Sequence, residues 1–216
     1  MIAFDGPVIV TGTDTGVGKT VTTAALAARL AAEGRVVEIV KIAQTGEDDD
    51  AAEAHRLSGA PAIRLAEYPD PLAPVAAARR AGAPLLRLRE VSEAVAARTA
   101  DTVLLEGAGG LLVQMGEGGW TVRDLAVELC CPAVVVARAG LGTLNHTALT
   151  LEALARHGVE ASVVIGAWPR RPGLAETENL RDLPGPRLGR IPEGAGGLAP
   201  EVFRPAAPGW FDLERP

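Results

Sequence analysis

Glycine, lysine and hydroxyl residues meet in Gly12-Thr13-Asp14-Thr15-Gly16-Val17-Gly18-Lys19-Thr20, and that set can hold a polyphosphate. Glycine lets the backbone approach closely enough for successive N–H groups to point at anionic oxygens. Lys19 can then reach the terminal phosphates and the Thr20 hydroxyl can ligate magnesium, while a helix starting there adds the positive end of its dipole. The strict pattern wants glycine where Thr13 stands, with Gly12 one place earlier, so the loop is a stretched variant. A plain glycine-rich turn would share the composition. The ending Gly18-Lys19-Thr20, between the apolar run Val8-Ile9-Val10 and the helical pattern from Val21 to Ala32, points to nucleotide instead.

Other residues could complete such a site. Glu106 closes the run Thr102 to Leu105 and could bind or orient magnesium; Gly107, Ala108, Gly109 and Gly110 after it suit backbone packed on a ligand. Lys41 ends the run Val36 to Val40. A wet strand end would make it an ordinary surface lysine, whereas a buried one needs an anionic partner and could face an acid group under phosphorylation. Asp48-Asp49-Asp50 suits a helix cap, and one of the three could instead complete a magnesium shell. Gly142-Thr143-Leu144-Asn145 opens a helix whose N–H groups could hold a carboxylate or phosphate, or simply be capped. His55, His146 and His157 read as structural or surface residues, and no zinc-ligand spacing is present.

The elements that must position these residues alternate. Apolar, β-branched runs at 8–11, 36–40, 102–105, 133–137, 161–165 and 188–191 predict strands, and the spacing predicts helices over 20–33, 49–57, 88–99, 122–129 and 143–157. This is an α/β chain with a mostly parallel central sheet flanked by helices, a P-loop fold over 1–216. Ligands of such sheets gather beyond the carboxyl ends of the strands, where the phosphate loop, Lys41, Glu106, the segment 138–146 and Gly166-Ala167-Trp168-Pro169 would meet. The proline-rich stretch 68–84 is expected to be irregular.

Composition narrows the partners. The 216 residues, 48% hydrophobic and 22% charged, can bury a core as one compact domain, and a net charge of −6 offers no basic field for nucleic acid or membrane lipid. Cys130 and Cys131 are adjacent in an apolar run and read as buried, reduced thiols. The start Met1 to Asp5 lacks a basic signal-peptide region and no apolar run approaches spanning length, so a cytoplasmic protein is expected.

With these motifs assembled, the chain resembles the dethiobiotin synthetases of biotin biosynthesis over most of its length. The most specific pieces are the stretched phosphate loop, Lys41 with Thr45-Gly46, Glu106 to Gly110, and Leu141 to His146. The resemblance implies that carbon dioxide is joined to 7,8-diaminopelargonate at the expense of ATP or another nucleoside triphosphate such as CTP, with magnesium, to close a cyclic urea. It makes Thr20, Asp50 and Glu106 the magnesium ligands, Lys41 the active-site lysine beside Lys19, and a homodimer the working form. Nucleotide would be held by Gly16, Val17, Gly18, Lys19, Thr20 and Val21, by Asp50, and by Glu106 with Gly107, Ala108 and Gly109. The base would lie against Ala167 and Trp168 and against Ile191, Pro192 and Glu193. Substrate would be held by Thr13, Lys41 and Thr45, with its distant carboxylate at Gly142, Thr143, Leu144 and Asn145 of the other subunit. Many relatives carry asparagine where Ala167-Trp168 stands here, which opens the base to a pyrimidine.

Two other readings share the loop. A nucleotide-switched partitioning ATPase would place a second lysine early in the loop, where this chain has Asp14, and would leave Lys41 and Thr45 without a duty. An amidating synthase would need an ammonia source, and no glutaminase domain is appended.

Overall fold

The computed structural model describes residues 4–211; Met1 to Ala3 of the start read for a leader, and both ends of the 1–216 unit, lie outside the described residues. In chain order the elements are β1 (Gly6–Gly12), α1 (Lys19–Ala32), β2 (Val37–Lys41), β3 (Gln44–Thr45), α2 (Asp50–Ser58), β4 (Ala62–Arg64), β5 (Glu67–Tyr68), α3 (Pro74–Ala81) and α4 (Leu88–Ala96). There follow β6 (Thr102–Gly110), α5 (Val122–Glu128), β7 (Ala133–Ala137), α6 (Thr143–Ala155), β8 (Ala161–Trp168), α7 (Leu174–Asp182), β9 (Arg187–Pro192) and α8 (Pro200–Ala206). Seven strands form one parallel sheet in the order β4-β2-β6-β1-β7-β8-β9, and β3 pairs with β5 apart from it.

Strand parity explains why the central runs are apolar throughout. Val8 and Val10 face α1 and α2, whereas Ile9 faces the opposite helix layer; Leu104 and Val103 with Leu105 divide likewise, as do Val134 with Val136 and Ala133 with Val135. A parallel sheet covered on both faces leaves no position for a polar alternation. Ala24, Ala25, Leu26, Ala27 and Leu30 of α1 pack one layer, joined by Leu57 and Phe203; Val91, Val95, Leu125 and Leu154 pack the other. No helix of the described residues is long and apolar enough to cross a membrane.

The six expected strands are all present, and β6 and β8 run well past their expected ends. β6 continues to Gly110 because Glu106 still pairs with Val10 and Lys41, and Gly110 with Gly12. β8 continues to Trp168, which pairs with Pro192. The stretch 68–84 is irregular only in part, since α3 occupies Pro74–Ala81 within it. Pro74 stands at the first position of α3, where its missing N–H costs nothing and its fixed φ suits the helix, and Gly82 closes the other end at φ 62. Ala77 and Ala78 then fit against the core. The short strands β3, β4 and β5 and the helices α7 and α8 carry too few periodic residues to stand out in the sequence.

The cysteines also part company. Cys131 is buried, and burial pushes its thiol up to about 12. Cys130 is exposed, because the turn after α5 passes through it at φ 48 and leaves its side chain outside. In the native protein iodoacetamide at pH 8 should therefore alkylate Cys130 alone, with Cys131 modified only after denaturation. Peptide mass spectrometry reads the order, and equal labelling of both would contradict this burial.

Candidate functional site

The phosphate loop leaves β1 at Gly12 and enters α1 at Lys19. Gly18 caps the helix at φ 96, and a Cβ there would stand 2.6 Å from the Gly166 carbonyl oxygen of β8. A Cβ at Gly166 would in turn lie 2.0 Å from the Val17 carbonyl oxygen. Two glycines thus let the loop backbone rest directly on a strand, which fixes where its N–H groups point. Lys19 is buried, and its Nζ donates to the Asp14 carbonyl oxygen at 3.0 Å. Burial lowers its pKa; nearby Glu106 opposes the shift and Lys41 adds to it.

Lys41 holds the centre. The β2–β6 register sets it beside Glu106, and only 4% of Lys41 and 1% of Glu106 remain exposed. Its Nζ lies 2.5 Å from Asp50 Oδ2 and 2.8 Å from Glu106 Oε1, and donates to the Gly107 carbonyl oxygen at 3.3 Å. The wet-strand-end reading of Lys41 is thereby excluded. Burial alone would lower its pKa, yet the carboxylates of Glu106 and Asp50 outweigh it and the net direction is up.

The Thr20 hydroxyl lies 2.9 Å from Glu106 Oε1 and 3.0 Å from Asp50 Oδ1, with one proton to give to either. Thr20, Asp50 and Glu106 therefore converge from α1, α2 and β6 as hard oxygen donors around a spot that already accommodates positive charge. Among the described residues no group of three or more His, Cys, Asp or Glu could hold a metal. Two carboxylates and a hydroxyl, with phosphate and water to supply the rest, fit magnesium, which keeps several water ligands.

The three aspartates divide their duties. Asp49 caps α2, accepting the Ala52 N–H at 2.9 Å and pairing with Arg64 at 2.6 Å. Asp50 turns inward to Lys41, and its own N–H is accepted by Gln44 Oε1 at 3.1 Å. Asp48 lines the open cavity. That cavity, about 400 Å³, is walled by Thr15, Gly16, Gly18, Lys19, Thr20 and Val21, by Lys41, Ala43, Gln44 and Thr45, and by Asp48, Asp50, Ala108 and Gly109. Thr15 came with the phosphate loop and Asp48 with the aspartate trio, whereas Ala43 and Gln44 were given no role from sequence. Gln44 stood beside Thr45 as the signal, but its hold on Asp50 is a contact across six positions that no spacing rule reveals.

Other expected residues stand outside this wall. Thr13 is tied by its N–H to the Val136 carbonyl at 2.9 Å, and its hydroxyl is buried without a partner. Val17 is packed in the core. Trp168 and Glu193 are neighbours, the Glu193 N–H donating to the Trp168 carbonyl at 2.8 Å, and the Arg190 guanidinium lies 5.4 Å from the Trp168 ring centre. Ala167 and Pro192 are exposed beside them, whereas Ile191 as a whole is buried and presents no surface to a base. Gly142 caps α6 at φ 88, and the Thr143 hydroxyl sits 3.5 Å from that of Thr147 inside the helix. Thr143 N–H is accepted by Gly140 at 3.3 Å, leaving Leu144 and Asn145 to present the helix start. Asn179 of α7, which the sequence did not mark, steadies this loop by donating to the Ala139 carbonyl at 2.9 Å.

A family model described as an AAA domain matches residues 7–196. The chain is 54% identical over 216 residues to the "ATP-dependent dethiobiotin synthetase BioD" of Rhodococcus jostii (strain RHA1), covering 94% of each chain. It is 53% identical to the protein of the same name from Streptomyces avermitilis, covering 94% of this chain and 90% of the relative. Among solved structures it is similar to the MinD cell division protein of Aquifex aeolicus, with a TM-score of 0.53, 14% identity and 94% of each chain covered. The cell division protein FtsY of Thermotoga maritima matches with a TM-score of 0.54 and 15% identity, covering 94% of this chain and 68% of that one. At that identity the structural matches speak for the fold alone.

Removing the central ammonium while keeping its stem tests the geometry. Lys41→Met leaves the buried Glu106 facing Asp50 with no cation between them, which should cost about 3 kcal/mol. Magnesium chloride should recover more of the lost melting temperature in the variant than it adds to the native protein. A variant that melts like the native protein, with or without magnesium, would show that the ammonium does not hold this cluster together.

Proposed function

The chain belongs to the dethiobiotin synthetase family, and from that premise we propose how its residues join carbon dioxide to 7,8-diaminopelargonate and close the cyclic urea. It is a ligase of biotin biosynthesis that consumes ATP. The observation that carries the residue assignment is the Lys41 ammonium, buried between Glu106 and Asp50 and within the same cavity wall as Lys19 and Thr45.

One amine of the substrate adds to carbon dioxide and loses a proton, giving an anionic carbamate. A carbamate oxygen must then attack the γ-phosphoryl group of the nucleotide, which is also anionic, so the step needs fixed positive charge around both partners. Lys19 meets the phosphates from the loop, and Lys41 meets the carbamate from the end of β2. Magnesium, when bound by Thr20, Asp50 and Glu106, supplies further charge at the phosphoryl oxygens. The nucleoside diphosphate leaves. The neighbouring amine attacks the carbamoyl carbon, phosphate departs with the C–O bond electrons, and loss of a proton completes the ring. Holding both amines in one cavity makes this closure effectively intramolecular.

Thr45, in the cavity wall with Lys41, suits contact with the substrate amines. The helix start at Gly142 to Asn145 lies outside the cavity wall, which fits a distant carboxylate received from a second subunit in a homodimer. Base contact would come from Ala167, Trp168, Pro192 and Glu193. The exposed Trp168 edge and backbone groups there suit several bases, CTP among them. A cytoplasmic location accords with this chemistry.

Purified protein with diaminopelargonate, bicarbonate, magnesium and ATP should yield dethiobiotin by mass spectrometry, with CTP also accepted; nucleotide binding without product would overturn the reading. Thr143→Phe should raise the KM for diaminopelargonate about tenfold or more while leaving nucleotide KM within about twofold. Equal effects on both would remove the carboxylate site from α6.

A further inference from the structure

The phosphate loop contains an acid. Asp14 stands exposed between Thr13 and Thr15, beside the Thr15 that lines the cavity, and a carboxylate so near a bound triphosphate would repel it unless masked. Three contacts meet at this residue. Its Oδ1 accepts the Thr15 N–H at 2.8 Å, its backbone carbonyl accepts Lys19 Nζ at 3.0 Å, and its Oδ2 accepts Arg138 Nη2 at 2.6 Å. The sheet explains the last contact. Gly12 pairs with Val136 across β1 and β7, and the Thr13 N–H is accepted by the Val136 carbonyl, so the chain positions two residues further on, Asp14 and Arg138, emerge side by side.

We propose that Arg138 is a positioning residue for nucleotide binding: paired with Asp14, it masks a negative charge inside the phosphate loop and holds the carbonyl on which Lys19 rests. Among the described residues Arg138 has no other side-chain hydrogen bond or ion pair. It lies at the end of β7, makes no contact with Lys41, Asp50 or Glu106, and is absent from the cavity wall. The remaining charged neighbours of Asp14 are Lys19, which the phosphates will engage, and His146 of α6, whose field also favours the carboxylate. Once Lys19 turns to phosphate, Arg138 is the cation left to Asp14.

The inference rests on the nucleotide reading of the loop, and titration of the native protein with ADP and magnesium chloride tests that reading separately. Given native binding, Arg138→Gln should weaken ADP roughly tenfold at low ionic strength, with the loss shrinking as salt is added. Arg138→Lys should bind within about threefold of native, since the charge is kept. The deciding variant is Arg138→Gln with Asp14→Asn, in which the exposed pair and the repulsion it masks vanish together. Charge masking predicts recovery to within about threefold of native affinity and a nucleotide KM that follows, with kcat little changed. A double variant as weak as Arg138→Gln alone would make the pair a mere tether, and unaltered binding in Arg138→Gln would overturn the proposal outright. Circular dichroism melts of all three variants identify any that fail to fold, and Arg138→Lys keeps the test alive in that event.

Discussion

An ammonium ion buried in a parallel sheet must be surrounded by negative charge, and most of the site follows from meeting that requirement at Lys41. The cost of stripping water from the ion is several kcal/mol, recovered only by close and well-oriented partners. Two elements supply them: β6 brings Glu106 through its register with β2 and α2 brings Asp50 through its first residue, while α1 sets the Thr20 hydroxyl between the two carboxylates. The same oxygens that stabilise a lysine are the ones magnesium prefers. A cluster assembled to keep one cation buried is therefore already arranged to receive a second with the triphosphate.

The phosphate loop obeys a different constraint, that of contact distance. Its backbone touches β8 so closely that Gly18 and Gly166 both exclude a side chain. This contact links two parts of the site that are far apart in sequence. Where β8 stops packing on the loop, its last residues Ala167 and Trp168 stand beside Pro192 and Glu193, so one strand touches both the phosphate loop and the proposed base contacts. The Arg190 guanidinium lies over the Trp168 ring at the same place.

What could be read from sequence follows from the range of the interaction. The central strands β1, β6, β7 and β8 were legible because each is buried on both faces and so carries a long apolar run; Pro74 misled because proline before a helix and proline within a loop look alike until the following alanines find a core. The aspartate trio shows the same limit at the site. Sequence offered a cap and a metal ligand without deciding among Asp48, Asp49 and Asp50, since the choice turns on Arg64 and Lys41, each brought in by tertiary structure. Cys130 and Cys131 were assigned one fate by their apolar context, and a single positive φ separates them. Strand parity is local, whereas the partners of a charge are not.

A phosphate cradle at the end of a central strand is compatible with many activities, so the fold cannot by itself name the reaction. The difference lies in residues the cradle does not need. Binding a triphosphate calls for the loop, Lys19, Thr20 and an acid; it gives no reason to bury Lys41 or to set Thr45 in the wall of the same cavity. Such a second cation has a use when another anion must approach the γ-phosphoryl group, as an amine carbamate does. Asp14 fits that account from the other side. In a site so crowded with cations one acid in the loop can be tolerated, provided it is paired, and the β1–β7 register delivers Arg138 to the position where pairing is possible. The balance of charge across the whole strand edge, rather than the loop alone, is what turns a nucleotide-binding fold into a candidate for joining two anions.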